Sequence, residues 1–128
     1  MVPYTTYVCE VNYQLVLVTK DKKPCLNIEM QKRLEKMVKE IFLKLNTELT
    51  KFTSGEYYID MTIKAGTTFT ASKFINSLKT VTSRLLRKEF SEQLNIFYSD
   101  SGLWEKGYLF MTKSAENDIH LMEAYIQK

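Results

Sequence analysis

Apolar positions along this chain change their period several times, and each change marks an element. In "YVCEVNYQLVLVT", residues 7–19, Val11, Tyr13, Leu15 and Leu17 alternate onto one face, and apolar residues crowd together toward the end. The pattern predicts a long strand, buried on both sides near its C-terminal end. The charged "KDKKPC" turns the chain, with Pro24 closing the turn. From residue 28 the spacing becomes three and four. Leu34, Met37, Val38, Ile41, Phe42, Leu45 and Leu49 share a stripe, with Lys and Glu between them. An amphipathic helix over 28–49 follows from that spacing. "TKFTSGE" breaks it, and a short strand is expected near 50–54.

Period two returns in "EYYIDMTIKAG", residues 56–66. Tyr57, Ile59, Met61 and Ile63 alternate with Tyr58, Asp60, Thr62 and Lys64. The expectation is a half-buried strand with Tyr58 and Asp60 side by side on its wet face. After the loop "AGTTFT", Thr70 or Ser72 would cap a helix over 71–92, with Phe74, Leu78, Val81 and Leu85 as its core stripe. Residues 94–98 and 103–112 read as extended, interrupted by "SDSG". "SAENDIHLMEAYIQK" opens with Ser114 as an N-cap and acids in the first turn. Ala115, Ile119, Met122 and Ile126 form its stripe. The order β-α-(β)β-α-β-α lacks strict strand–helix alternation. It favours α+β, an antiparallel sheet with helices on one face, over a doubly wound parallel sheet.

Composition changes this picture little. A chain of 128 residues, 45% hydrophobic and 26% charged, suits one ordered domain spanning 1–128. No apolar run reaches the length of a membrane span, and the opening residues lack a signal-peptide layout, so a cytoplasmic protein without a membrane partner is expected. Cys9 and Cys25 have no Cys-x-x-Cys spacing and read as reduced thiols. The net charge of +3 permits an anionic partner without requiring one.

The distribution of charge says more than the total. On the 71–92 helix, Lys73, Ser77, Thr80, Arg84, Arg87 and Lys88 fall opposite the apolar stripe. Lys73, Lys79, Arg84, Arg87 and Lys88 face a single acid, Glu89, whereas Glu29, Glu35, Glu40 and Glu48 balance the cations of the earlier helix. Hydroxyls interleaved with long cations suit phosphate contacts, so these five basic residues are the candidate nucleic-acid-binding set. The competing reading is a solvated helix face. Catalytic candidates are sparse. The lone histidine, His120, reads as surface, and the glycines form no phosphate cradle. Tyr125 lies at the margin of its helix stripe with a reachable hydroxyl, a place an ordinary amphipathic tyrosine also takes.

Four strings, in order, carry a family resemblance: "NYQLVLVTKDKKPCL", "LKTVTSRLLRKEF", "LWEKGYLF" and "MEAYIQK". Together they resemble the single-tyrosine transposases, the TnpA group of HUH nucleases, from about residue 12 to the end. The resemblance implies a ferredoxin-like (RRM-like) α+β fold with a C-terminal helix carrying Tyr125. It also implies a homodimer whose strands join across the interface, and single-stranded DNA cut at hairpin-marked ends. In that family a His-hydrophobe-His strand motif and a later glutamine hold a divalent metal on the scissile phosphate, and the tyrosine attacks.

The departures are as informative as the match. The His-hydrophobe-His positions are Tyr58-Ile59-Asp60 here, and the glutamine expected four residues after Tyr125 would fall beyond Lys128. Tyr58 and Asp60 therefore read as former metal-ligand positions with no metal expected, and Tyr125 as a vestigial nucleophile. A tyrosine hydroxyl, with a reference pKa near 10, needs a metal's help to attack a phosphodiester at neutral pH. The expectation is a catalytically inactive, domesticated DNA-binding regulator of transcription at a hairpin or inverted repeat. The alternatives are an active transposase, with Asp60 and Glu56 rebuilding a Mg²⁺ or Mn²⁺ site beside Tyr125, and an RNA-binding regulator.

Overall fold

The computed structural model describes residues 11–66, 69–99, 102–112 and 126. Strand β1, Val11–Val18, is followed by a 3-10 turn at Lys20–Lys22 and by helix α1, Ile28–Lys44. Strands β2, Glu48–Ser54, and β3, Tyr58–Ala65, form a hairpin. Helix α2, Ala71–Glu89, the short helix α3, Ser91–Asn95, and strand β4, Leu109–Thr112, complete the described order. The sheet runs β2-β3-β1-β4 with every neighbouring pair antiparallel. This is the split β-α-β arrangement of a ferredoxin-like α+β fold, in which each long helix crosses between two strands separated by a third.

Asn27 starts α1 because its side-chain oxygen accepts the N–H of Met30 at 2.9 Å, satisfying one of the helix's orphan donors. The helix ends at Lys44, earlier than its hydrophobic spacing suggests. Asn46 takes a left-handed φ of 52°. The Asn46 N–H then bonds the Leu43 carbonyl and the Thr47 N–H bonds that of Phe42. These paired backward bonds form the C-terminal motif that glycine or asparagine permits. Leu45 is consequently exposed, and Leu49 lies in β2.

The core lies between one sheet face and the two long helices. Leu15, Leu17, Ile59, Met61 and Ile63 from the strands meet Met30, Leu34, Met37, Val38, Phe74, Ile75 and Leu78. Each such side chain contributes roughly 1.5–3 kcal/mol by leaving water. Helix α2 begins after Thr70, as expected, although the Thr70 hydroxyl makes no cap bond. Its buried residues are Phe74, Ile75, Leu78, Thr82 and Leu86, while Val81 and Leu85 are only partly buried. The stripe is turned because Thr82 can be buried without cost: its hydroxyl donates to the Leu78 carbonyl at 2.7 Å and accepts from Trp104 Nε1 at 2.9 Å.

Residues 94–98 are not extended. Phe90, Leu94 and Tyr98 are buried at a spacing of four while Ile96 is 79% exposed, so a helical turn puts the apolar residues inward and alternation does not. The face of β3 expected to be wet is also dry in its centre. Asp60 and Thr62 are buried, together with Gln14, Val16 and Val18 of the neighbouring strand. Cys25 is a free, buried thiol whose pKa burial pushes up. Cys9, His120, Tyr125 and the stripe positions Ala115, Ile119 and Met122 lie outside the described residues.

Candidate nucleic-acid interface

Two parts of the molecule bear on function. The first is the sheet face turned away from the helices. Asp60 stands opposite Val16 on β1 and Thr53 on β2. Its carboxylate accepts from Gln14 Nε2, and from Thr53 Oγ1 at 3.4 Å. Hydrogen bonds of this kind are what allow a carboxylate to sit away from water. Tyr58 opens β3 with its ring folded over Gly55 of the hairpin, where an added Cβ would fall 2.3 Å from the ring. The rings of Tyr57 and Tyr58 meet edge to face, 5.6 Å apart. The Tyr57 hydroxyl donates to the Ile126 carbonyl at 2.9 Å, which brings the residue following Tyr125 in sequence beside the start of β3 in the same chain.

Among the described residues, these positions do not converge as a divalent-ion site. Such an ion needs oxygen ligands that converge on a space open to it. The Asp60 carboxylate is enclosed and already engaged, and Tyr58 packs on the hairpin. Glu56 lies before the strand, in a bend, and is exposed. Regular strand geometry from Glu56, the condition for it to share a face with Asp60, is therefore absent. Among the described residues no cluster of three or more His, Cys, Asp or Glu side chains is poised around a common point.

The second part is helix α2, whose five basic residues separate into two kinds. Lys73, Arg84 and Lys88 are exposed and make no hydrogen bond or ion pair with a described residue. They lie along one ridge opposite the core, ~22 Å from first to last at 1.5 Å per residue. Lys79 and Arg87 serve the fold. The Lys79 ammonium donates to the carbonyls of Glu105 at 2.8 Å and Lys106 at 3.1 Å, and sits 5.7 Å from the centre of the Tyr108 ring. Partial burial holds its pKa below the usual lysine value, with Glu105 opposing the shift. Arg87 donates to Asn95 Oδ1 at 2.8 Å and to the Tyr98 carbonyl at 3.4 Å, while its buried Nε has no hydrogen-bond partner. Glu89, expected as the lone acid near the ridge, is held by Arg33 of α1 through two bonds of 2.7 and 2.9 Å.

A model of the IS200-like transposase family matches residues 7–128. The chain belongs to that family. Solved structures with the same fold include a candidate transposase from Deinococcus radiodurans R1, 20% identical, with a TM-score of 0.84 over 92% of this chain and 89% of that one. Another is a REP-associated tyrosine transposase bound to a REP hairpin, 8% identical, with a TM-score of 0.58. It is matched over 91% of this chain but only 64% of its own. No curated protein gives a significant match. For this transposase-family chain, no described helix is long and apolar enough to cross a membrane.

Sequence reasoning named Tyr58 and Asp60 as neighbours on one strand but missed what Asp60 bonds. The available signal was Gln14, a polar residue between Tyr13 and Leu15 of β1. Antiparallel pairing places it beside Asp60 only once the register is known.

Proposed function

We propose that this IS200-like transposase relative binds nucleic acid without cutting it, and acts as a regulator at a DNA hairpin or inverted repeat. The observation that carries this reading is the state of Asp60. A buried carboxylate engaged by Gln14 and Thr53 is a structural group, and its neighbour Tyr58 packs on Gly55. Without a metal to neutralise the phosphate, a tyrosine hydroxyl is a hydrogen-bond donor and not a nucleophile at neutral pH. Binding needs no metal. The ridge of Lys73, Arg84 and Lys88 supplies exposed cations at helical spacing, interleaved with Thr80 and Ser77, and phosphate contacts made this way are sequence-independent and salt-sensitive. Lys79 and Arg87 stay in the candidate set as residues that hold the flanking loops against the helix. The hairpin held by the REP-associated relative supports a hairpin as the partner here.

The test is binding of a fluorescent hairpin DNA across a salt series, for the natural chain and for Arg84→Ala with Lys88→Ala. The double variant binds more weakly, and its affinity falls less steeply with salt, by about two units of slope. Equal binding by both chains removes the ridge from the interface. Incubation with Mn²⁺ and hairpin-bearing single-stranded DNA yields no covalent protein–DNA adduct. An adduct lost in Tyr125→Phe would overturn the inactive reading. Preferential recovery of RNA after crosslinking in cells would replace DNA as the partner.

A further inference from the structure

Lys79 and Arg87 both turn aside from the ridge, but they are held unequally. The Lys79 ammonium has two carbonyls and a ring face around it, at 2.8, 3.1 and 5.7 Å. Arg87 is held by less. Its guanidinium carries five N–H donors. One terminal nitrogen reaches Asn95 Oδ1 at 2.8 Å, on an exposed residue at the end of α3. The other reaches the Tyr98 carbonyl at 3.4 Å, longer than an ordinary hydrogen bond. Nε is buried and finds no acceptor among the described residues. A buried donor without an acceptor destabilises the state that contains it. Arg87 also lies one helical turn after Arg84 and directly before Lys88, so its backbone already stands beside the ridge.

We propose that Arg87 is a reserve cation of the ridge: a phosphate lodged beside Arg84 and Lys88 draws its guanidinium away from Asn95 and Tyr98, and nucleic-acid binding thereby loosens the turn that follows α2. The proposal rests on the nucleic-acid-binding reading and adds to it a residue that changes partners and a segment that responds. A phosphate accepts charge-assisted, two-pronged bonds for which the guanidinium fork is shaped, whereas both present acceptors are neutral. The exchange also gives the orphaned Nε–H an acceptor. Lys79 gains no such relief and stays where it is. The turn keeps its other anchors: Lys23 Nζ donates to the Phe97 carbonyl at 3.0 Å, and the Tyr98 hydroxyl to the Lys20 carbonyl at 2.6 Å. What it loses is its tie to α2. The backbone N–H groups of Ile96, Phe97 and Tyr98 bond only to the carbonyls of Gln93 and Leu94, a single turn that can open locally while the core stays closed.

Two measurements on the full chain with a fluorescent hairpin DNA test this. The first is affinity across a salt series. Asn95→Ala removes an acceptor that competes with phosphate, from an exposed residue of α3 that is not on the ridge. It tightens binding by about three- to tenfold, the scale of one released hydrogen bond, without changing the salt slope. Arg87→Ala weakens binding and lowers the slope by about one unit, and in that background Asn95→Ala changes nothing. The second is amide hydrogen exchange of the natural chain with and without the DNA. Residues 95–98 exchange faster in the complex, opposite to the slowing that direct contact produces. Neither Asn95→Ala nor the exchange measurement requires Arg87 to be replaced, so both stand even where Arg87→Ala fails to fold. Unchanged or weaker binding by Asn95→Ala, an unaltered slope in a folded Arg87→Ala, or exchange at 95–98 that the DNA slows or leaves alone overturns the change of partners and leaves nucleic-acid binding in place. Absence of binding by the natural chain overturns both.

Discussion

The two faces of β3 are built from adjacent residues and solve opposite problems. Ile59, Met61 and Ile63 are fully buried against the helices, where any apolar shape of the right volume serves. Asp60 and Thr62, between them, are nearly as buried, yet each is polar. The first face is held by burial itself. The second is tolerable only while its hydrogen bonds exist, since an unsatisfied buried polar group costs as much as several good contacts gain. A sheet face of the second kind is specific but fragile.

The largest expected effect lies on the helix side. Met61→Ala removes a side chain with no exposed surface and lowers unfolding free energy by about 2–5 kcal/mol, measured by urea titration. Next comes Asp60→Ala, which removes the acceptor of the Gln14 Nε2 hydrogen bond inside the sheet face and costs about 1–3 kcal/mol. Replacing Asp60 and Gln14 together by Leu recovers most of that loss. If the single change costs nothing, the polar face is not held as described. Gly55→Ala follows at about 1 kcal/mol, because the added methyl meets the Tyr58 ring; the penalty disappears in a Tyr58→Ser background.

The smallest effect belongs to the exposed polar contact between the helices, the Arg33–Glu89 pair. Its worth is roughly 0.2–1 kcal/mol because water and salt screen it. The hydrogen bonds from Arg33 hold the Glu89 pKa below the usual glutamate value. The stabilisation is therefore present above that usual value and lost as the pH falls through the lowered one. The difference between the natural chain and Arg33→Ala should vanish in acid and shrink in high salt.

These contrasts explain which features were legible in the sequence. Apolar periodicity located β1, α1, β3 and α2, because their core residues recur at the spacing of their own element. It placed Asp60 away from the helices, but alternation cannot tell a solvated face from one whose polar groups satisfy each other. The end of α1 escaped because Leu45 and Leu49 prolong the spacing, while the decisive residue, Asn46, acts through its backbone. The turn after α2 was read as strand because Phe97 and Tyr98 favour extended chain, although Phe90, Leu94 and Tyr98 keep a helical interval. In the candidate interface, the charges of Lys79 and Arg87 were legible and their commitments were not. Both reach partners brought near by the fold of the stretch after α2.

The indole of Trp104 donates to Thr82 on the core side of α2, opposite the ridge, and the chain contains no other tryptophan. Its emission is therefore a built-in gauge of whether this helix is seated, and a ligand lying along the ridge should leave it dark to the event. Unfolding and ligand capture can then be read in one cuvette by separate signals, the indole for the first and a labelled strand for the second.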